Sequence, residues 1–186
     1  MQATTTTTPS IQSSLIDINV RWLRQALRLL ARLDDAAYAT TPRGFTPHRA
    51  GAHLRHIVEF YQCFLGGLES SHVDYDERRR DEAIESSRAA ASGAIRSIIR
   101  ALGVRRDLRE QRIVWVRMED AEISGVRDSF MESSINRELQ VLSSHTVHHF
   151  ALIAMTLRMH GVEMDPDFGM APSTLRYLAS KTAEAA

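Results

Sequence analysis

Two histidines one turn apart, on a helical stripe that has to be buried, constrain this chain more than any other feature. Ser133 or Ser134 can cap a helix and Gly161 can stop one, so the last long helix is predicted between them. A helix advances about 100° per residue. With His145 set at zero, Glu138 lies at about +20°, Leu142 at about +60°, His149 at about +40°, Leu152 at about −20° and Thr156 at about +20°. Two imidazoles and a carboxylate thus share the stripe that faces the core. His148 falls near −60°, on the flank. Each buried imidazole must satisfy both ring nitrogens, and leucine and isoleucine neighbours offer few partners.

Three further long helices are predicted. From Ile11 to about Asp35, Ile16, Val20, Leu23, Leu27 and Leu30 recur at spacings of four and three, with Arg21, Arg24, Arg28 and Arg32 on the opposite side. Pro42, Gly44 and Pro47 break the pattern. Thr46 before Pro47 reads as a cap with proline in the first turn, and a second helix then runs to the paired glycines Gly66-Gly67. Its inward stripe is Ala52, His56, Phe60, Cys63 and Gly67, with His53 at the edge, about 60° from His56. A charged connection from Val73 to Asp81 leads to a third helix over about Glu82–Leu102, facing inward with Ile84, Ala91, Ile95, Ile98 and Leu102. The β-branched run Ile113–Met118, a turn at Glu119-Asp120 and a weaker return strand at Ile123–Phe130 predict a small β-hairpin. Pro166 and Pro172 mark a turn, and a short helix closes the chain from Ser173. The expected fold is all-α, a four-helix bundle with a β-hairpin between the third and fourth helices. The Thr-rich residues 1–10 read as a disordered lead, and residues 11–186 as one domain.

Charge and composition narrow the partners. Lys and Arg number 23, as do Asp and Glu, so the formal net charge is zero. Neither the basic excess of a nucleic-acid binder nor the polybasic patch of a membrane binder is indicated. No apolar run approaches the roughly 20 residues that span a bilayer. The start, MQATTTTTPS, lacks the basic and apolar regions of a secretion signal. Cys63 is the single cysteine, so no internal disulfide forms. These features predict a cytoplasmic protein.

The histidine stripe is compatible with three chemistries: a metal site, a structural hydrogen-bond network, or acid–base histidines without metal. Two imidazoles from one helix and a third from another would leave an open coordination position, as in catalytic metal sites. One familiar motif is excluded. A zincin protease carries His-Glu-x-x-His, the glutamate being the general base, and Thr146 occupies that place here. Cys63 lies seven residues from His56, roughly 10 Å along the helix, too far to share an ion with it. It reads as a plain core residue. Glu138 is about as far from His145 and reads as an outer partner or a core carboxylate. Ser70-Ser71 and Ser86-Ser87 lack the glycines of a nucleophile elbow.

The stretch Leu142-Ser143-Ser144-His145-Thr146-Val147-His148-His149 resembles the last-helix His-x-x-His-His motif of the DinB-like (DinB/YfiT) superfamily. Gly51-Ala52-His53-Leu54-Arg55-His56 resembles its second-helix motif, and Asp74-Tyr75-Asp76-Glu77-Arg78-Arg79-Arg80-Asp81 a charged loop of one subgroup. The similarity covers about Leu15 to Leu178. It implies a four-helix bundle holding a divalent metal on His56, His145 and His149. The helical angles agree independently, since His56 rather than His53 centres its stripe. Zn²⁺ is the expected ion, with Ni²⁺, Fe²⁺ and Mn²⁺ as alternatives that imidazole ligands do not sharply distinguish. Some relatives are transferases joining low-molecular-weight thiols to electrophiles, which implies a metal-dependent small-molecule transferase or hydrolase. Tyr75, Asp76 and Arg78 would orient substrate if their loop folds over the site, and His53, His148 and Glu138 are outer candidates. The rival expectation is a non-enzymatic metal-binding or interaction bundle. A homodimer is compatible with either.

Overall fold

The computed structural model describes residues 11–42, 49–105, 108, 112–118 and 130–184. Seven helices carry 69% of these residues, so the chain is mostly helical. In order they are α1 (Ile11–Arg32), α2 (Asp35–Ala39), α3 (Ala50–Gly67), α4 (Glu82–Ser86), α5 (Arg88–Val104), α6 (Ile135–Met159) and α7 (Pro172–Glu184). Strands β1 (His72–Asp74), β2 (Ile113–Arg117) and β3 (Met131–Ser134) form one small sheet. No helix among the described residues is long and apolar enough to cross a membrane.

The apolar stripes find each other. α1 buries Ile16, Val20, Leu23 and Leu30 and leaves Arg21, Arg24, Arg28 and Arg32 exposed. It lies against α5 and α6, and α3 lies against the same two helices. All five predicted inward residues of the third helix are buried, but the helix is interrupted. Ser87 adopts an extended conformation, ends α4, and caps α5 by accepting from the Ala90 N–H at 3.3 Å. Asp34 does the same between α1 and α2, accepting from the Ala37 N–H at 2.6 Å. Both breaks sit at residues whose side chains bond the backbone more readily at a helix start than inside one. Ser134 caps α6, accepting from the Arg137 N–H at 3.2 Å. The residue 1–10 lead lies outside the described residues, as do Thr46 and Pro47, but α3 begins only at Ala50 behind an extended Arg49, so the predicted Thr46-Pro47 start does not hold.

α3 ends at Gly67, as the paired glycines predict, but without a left-handed cap: Leu68 after it is still in the right-handed helical region. A Cβ on Gly67 would lie 2.3 Å from the His72 carbonyl oxygen. The glycine therefore lets β1 press directly on the α3 backbone.

The hairpin differs from the expected one. β2 pairs antiparallel with β3, Trp115 opposite Glu132 and Val116 opposite Met131, so the return strand begins at Met131. Phe130 precedes it outside any strand, and residues 119–129, which include the predicted turn, lie outside the described residues. β1 adds a third, parallel strand, with Val73 opposite Val116. It comes from the supposed charged connection. Val73 and Tyr75 alternate inward and are fully buried, a period of two too short to stand out in the sequence.

A buried polar network pins α1, α3 and α6 beside the histidines. Asn19 donates to the Leu15 and Leu139 carbonyls at 2.9 and 3.0 Å. The Tyr61 hydroxyl donates to Asn19 Oδ1 at 2.6 Å and meets Thr146 Oγ1 at 3.2 Å. Thr146 donates in turn to the Leu142 carbonyl at 2.7 Å. All three residues are fully buried, and their side-chain polar atoms are paired. Such a network rigidifies the segment that carries His145.

Candidate metal centre

The helices bring three imidazoles together. His56 of α3 and His145 and His149 of α6 each offer one ring nitrogen, and these atoms all lie within 4.8 Å of one another. His145 and His149 converge because they are one turn apart on one helix, with ring centroids 4.5 Å apart. His56 arrives from the facing helix, its centroid 4.8 Å from His145 and 4.6 Å from His149. His56 Nε2 and His145 Nε2 are 3.1 Å apart. Two nitrogens bound to a tetrahedral zinc at about 2.05 Å stand about 3.3 Å from each other. That pair is already at ligand spacing, and with the third nitrogen within 4.8 Å the group is close enough to hold a divalent ion.

The three rings stand at the margin of the core. The buried residues of α3 include Leu54, Ile57, Val58, Tyr61 and Phe64, while His56, Cys63 and Gly67 are half-buried. The predicted stripe was therefore rotated from the true packing face. α3 is covered by α2, α4 and β1 as well as by α5 and α6, and a helix walled on several sides has no single stripe for periodicity to report. His145 and His149 are half-buried too, beside the buried Leu142, Thr146 and Phe150. A marginal position suits a reactive site, which needs solvent or substrate on one side.

Burial keeps His145 and His149 neutral. It pushes His145 down to about 3, with repulsion from His56, His148 and Arg78 adding to the effect. His149 is pushed down to about 2, first by burial and then by His145, His56, His53 and His148. Neutral imidazoles with free lone pairs are the form a metal needs. His145 Nδ1 is buried and has no hydrogen-bond partner among the described residues.

Phe60, one turn beyond His56, forms the floor. It stacks on His145 with centroids 4.0 Å apart and planes 20° apart, and lies 4.7 Å from His56. The sequence places Phe60 in the inward stripe and not in the site. Its spacing of four residues from His56 was the available signal. The Arg78 guanidinium carbon lies 5.3 Å from the Phe60 centroid.

The other candidates are distributed differently. His53 is buried at 8% exposure, and its Nδ1 faces His149 Nδ1 at 3.1 Å. His148 is exposed, its ring 5.2 Å from His149, and it is not part of the three-nitrogen group. Tyr75 is fully buried rather than in a solvated loop. Its ring stacks on Phe60 at 4.9 Å, and its hydroxyl donates to Glu138 Oε2 at 2.8 Å. Burial, and then the Glu138 charge, push the phenol far above its ordinary range. Glu138 is buried and also accepts from Ser133 Oγ at 2.5 Å, so it is a core carboxylate that locks β1 and β3 to α6. Asp76 is exposed, and its backbone N–H donates to Asp74 Oδ1 at 2.9 Å.

Cys63 lines a cavity of about 750 Å³ with Glu59, Gly67, Asp74 and Ile98. Burial raises its thiol to about 11, so it is a poor nucleophile at neutral pH. Comparison with protein-family models, curated proteins and solved structures gave no match.

Proposed function

We propose that the chain is a four-helix bundle of DinB-like type, built on α1, α3, α5 and α6, and that His56, His145 and His149 hold a divalent metal for small-molecule chemistry. The observation that carries this reading is the convergence of three ligand nitrogens within 4.8 Å. The exchange of neighbours among the four long helices supports the bundle. Zn²⁺ is the preferred ion, with Ni²⁺, Fe²⁺ or Mn²⁺ accepted by the same donors. Three protein ligands would leave a position at which such an ion, when bound, would lower the pKa of a water to about 7 or favour a thiolate.

The reaction proposed is transfer of a low-molecular-weight thiol to an electrophile, or hydrolysis. His56, His145 and His149 would hold the ion through ring-nitrogen lone pairs. Phe60 holds the His145 ring flat and shields that side from water. Arg78 carries a positive charge beside Phe60, which suits an anionic group on the substrate. Asp76 lies in the same exposed loop. The partner is a small molecule, in a cytoplasmic setting and in a monomer or homodimer, without nucleic acid or membrane.

A second reading, a metal-holding or interaction bundle without a reaction, is favoured by one observation. None of the three histidines lines the large cavity, whose α3 residues Cys63 and Gly67 stand roughly 10 Å or more along the helix from His56, so its volume does not serve the imidazoles. Zinc-loaded protein mixed with a panel of low-molecular-weight thiols and electrophiles separates the readings. Turnover that disappears in His56→Ala supports the enzyme. Tight stoichiometric zinc with no turnover across the panel supports the second reading.

A further inference from the structure

The contact between His53 and His149 determines which nitrogen of His149 is free. His53 sits one turn before His56 on α3 and is nearly enclosed, at 8% exposure. Its Nδ1 lies 3.1 Å from His149 Nδ1, with ring centroids 5.3 Å apart and planes at 44°. A neutral imidazole carries one N–H donor and one acceptor nitrogen, so a single proton lies between these two Nδ1 atoms. If His53 owns it, His149 uses its Nδ1 lone pair as acceptor and carries its own proton on Nε2. No lone pair then remains on His149 for an ion. If His149 owns it, Nδ1–H donates to His53 and the Nε2 lone pair is free.

Resting on the metal reading above, we infer that His53 is a positioning residue that accepts from the Nδ1–H of His149 and so presents His149 Nε2 to the ion. Metal-bound histidines are generally held this way, the second ring nitrogen donating to an outer partner that fixes tautomer and ring angle. Here the partner is a third-party histidine from the opposite helix. The same bond ties α3 to α6 at the site. It is the more consequential because the other α6 ligand lacks such support: His145 Nδ1 is buried with no partner among the described residues. Removing His53 would leave both α6 imidazoles without an outer hydrogen bond.

Two variants separate the hydrogen bond from packing. His53→Phe keeps a flat ring but removes the acceptor. His53→Asn places its amide oxygen near the position of Nδ1 and restores an acceptor. Zinc affinity of the full chain, measured by competition with a chromophoric chelator, should fall about 10- to 100-fold in His53→Phe and recover most of the loss in His53→Asn, with far-UV circular dichroism unchanged in both. Nitrogen-15 NMR of the zinc-free wild type should show the His149 proton on Nδ1. Wild-type zinc affinity in His53→Phe, or no recovery in His53→Asn, would overturn the inference. So would a His149 proton on Nε2, which is read without either variant. If the wild type binds no zinc, the metal reading falls. The tautomer spectrum then still decides the hydrogen bond, a proton on Nδ1 supporting it and one on Nε2 overturning it.

Discussion

Replacing Tyr75 by Phe should destabilise the fold and leave metal binding intact. The substitution removes one hydroxyl and nothing else. Glu138 is 3% exposed, and its two oxygens accept from Tyr75 at 2.8 Å and from Ser133 at 2.5 Å. In the variant, Oε2 loses its donor in a place water does not reach. A hydrogen bond to a charged group contributes about 1.5–3 kcal/mol, and a buried acceptor left unpaired costs a comparable amount. The expected loss is therefore about 1.5–3 kcal/mol. At about 2–4 °C per kcal/mol for a chain of this size, Tm should fall by about 3–12 °C. The phenyl ring still stacks on Phe60, which still stacks on His145, so zinc affinity should change by less than about threefold, under 0.7 kcal/mol. Urea unfolding followed by circular dichroism measures the first effect, with an unchanged m-value as the control for the unfolded state. A loss under about 0.5 kcal/mol, the range of an ordinary surface change, would refute the account of Glu138 as a locked core carboxylate. Lost zinc binding with unchanged stability would place Tyr75 in the site instead.

His148→Ala should retain wild-type zinc stoichiometry, because His148 is exposed and outside the three-nitrogen group; metal analysis of the purified variant checks this. Zinc-free protein should lose stability as pH falls from about 6.5, the ordinary histidine value, toward about 3 and 2, where His145 and His149 titrate in the fold. The sign follows from linkage. In that window the unfolded chain binds more protons than the folded one, so stability rises with pH, and urea midpoints at pH 7, 6 and 5 should descend in that order. Cys63, with its thiol held up to about 11, should react with iodoacetamide at pH 7.5 at least about tenfold more slowly in the native protein than in urea; equal rates would contradict its burial.

Legibility in the sequence follows the range of the interactions. The ends of α6 were readable because Ser134 and Gly161 act locally. The inward residues of α5 are readable because Ile95, Ile98 and Leu102 recur at helical spacing and are all buried. The breaks at Asp34 and Ser87 were hidden inside continuous apolar periodicity, though both residues are good caps. β1 was hidden because its partner β2 lies some forty residues away, and three residues carry little period. The histidine trio is legible in part. The spacing of His145 and His149 is a property of one helix, whereas the choice of His56 depends on how α3 rotates against α6. That rotation is set by all the elements covering α3, which is why the residue was found but its stripe was misplaced. The burial of Tyr75 is not legible in the sequence because its partner Glu138 is 63 positions away.

The most direct test of the central claim is a zinc titration of the full-length, metal-free chain beside His56→Ala, His145→Ala and His149→Ala. The three-histidine site predicts one zinc per wild-type chain and sharply weakened binding in each variant, with circular dichroism unchanged. A wild type that binds no zinc, nickel, iron or manganese would contradict it, as would a His56→Ala variant that binds as tightly as the wild type.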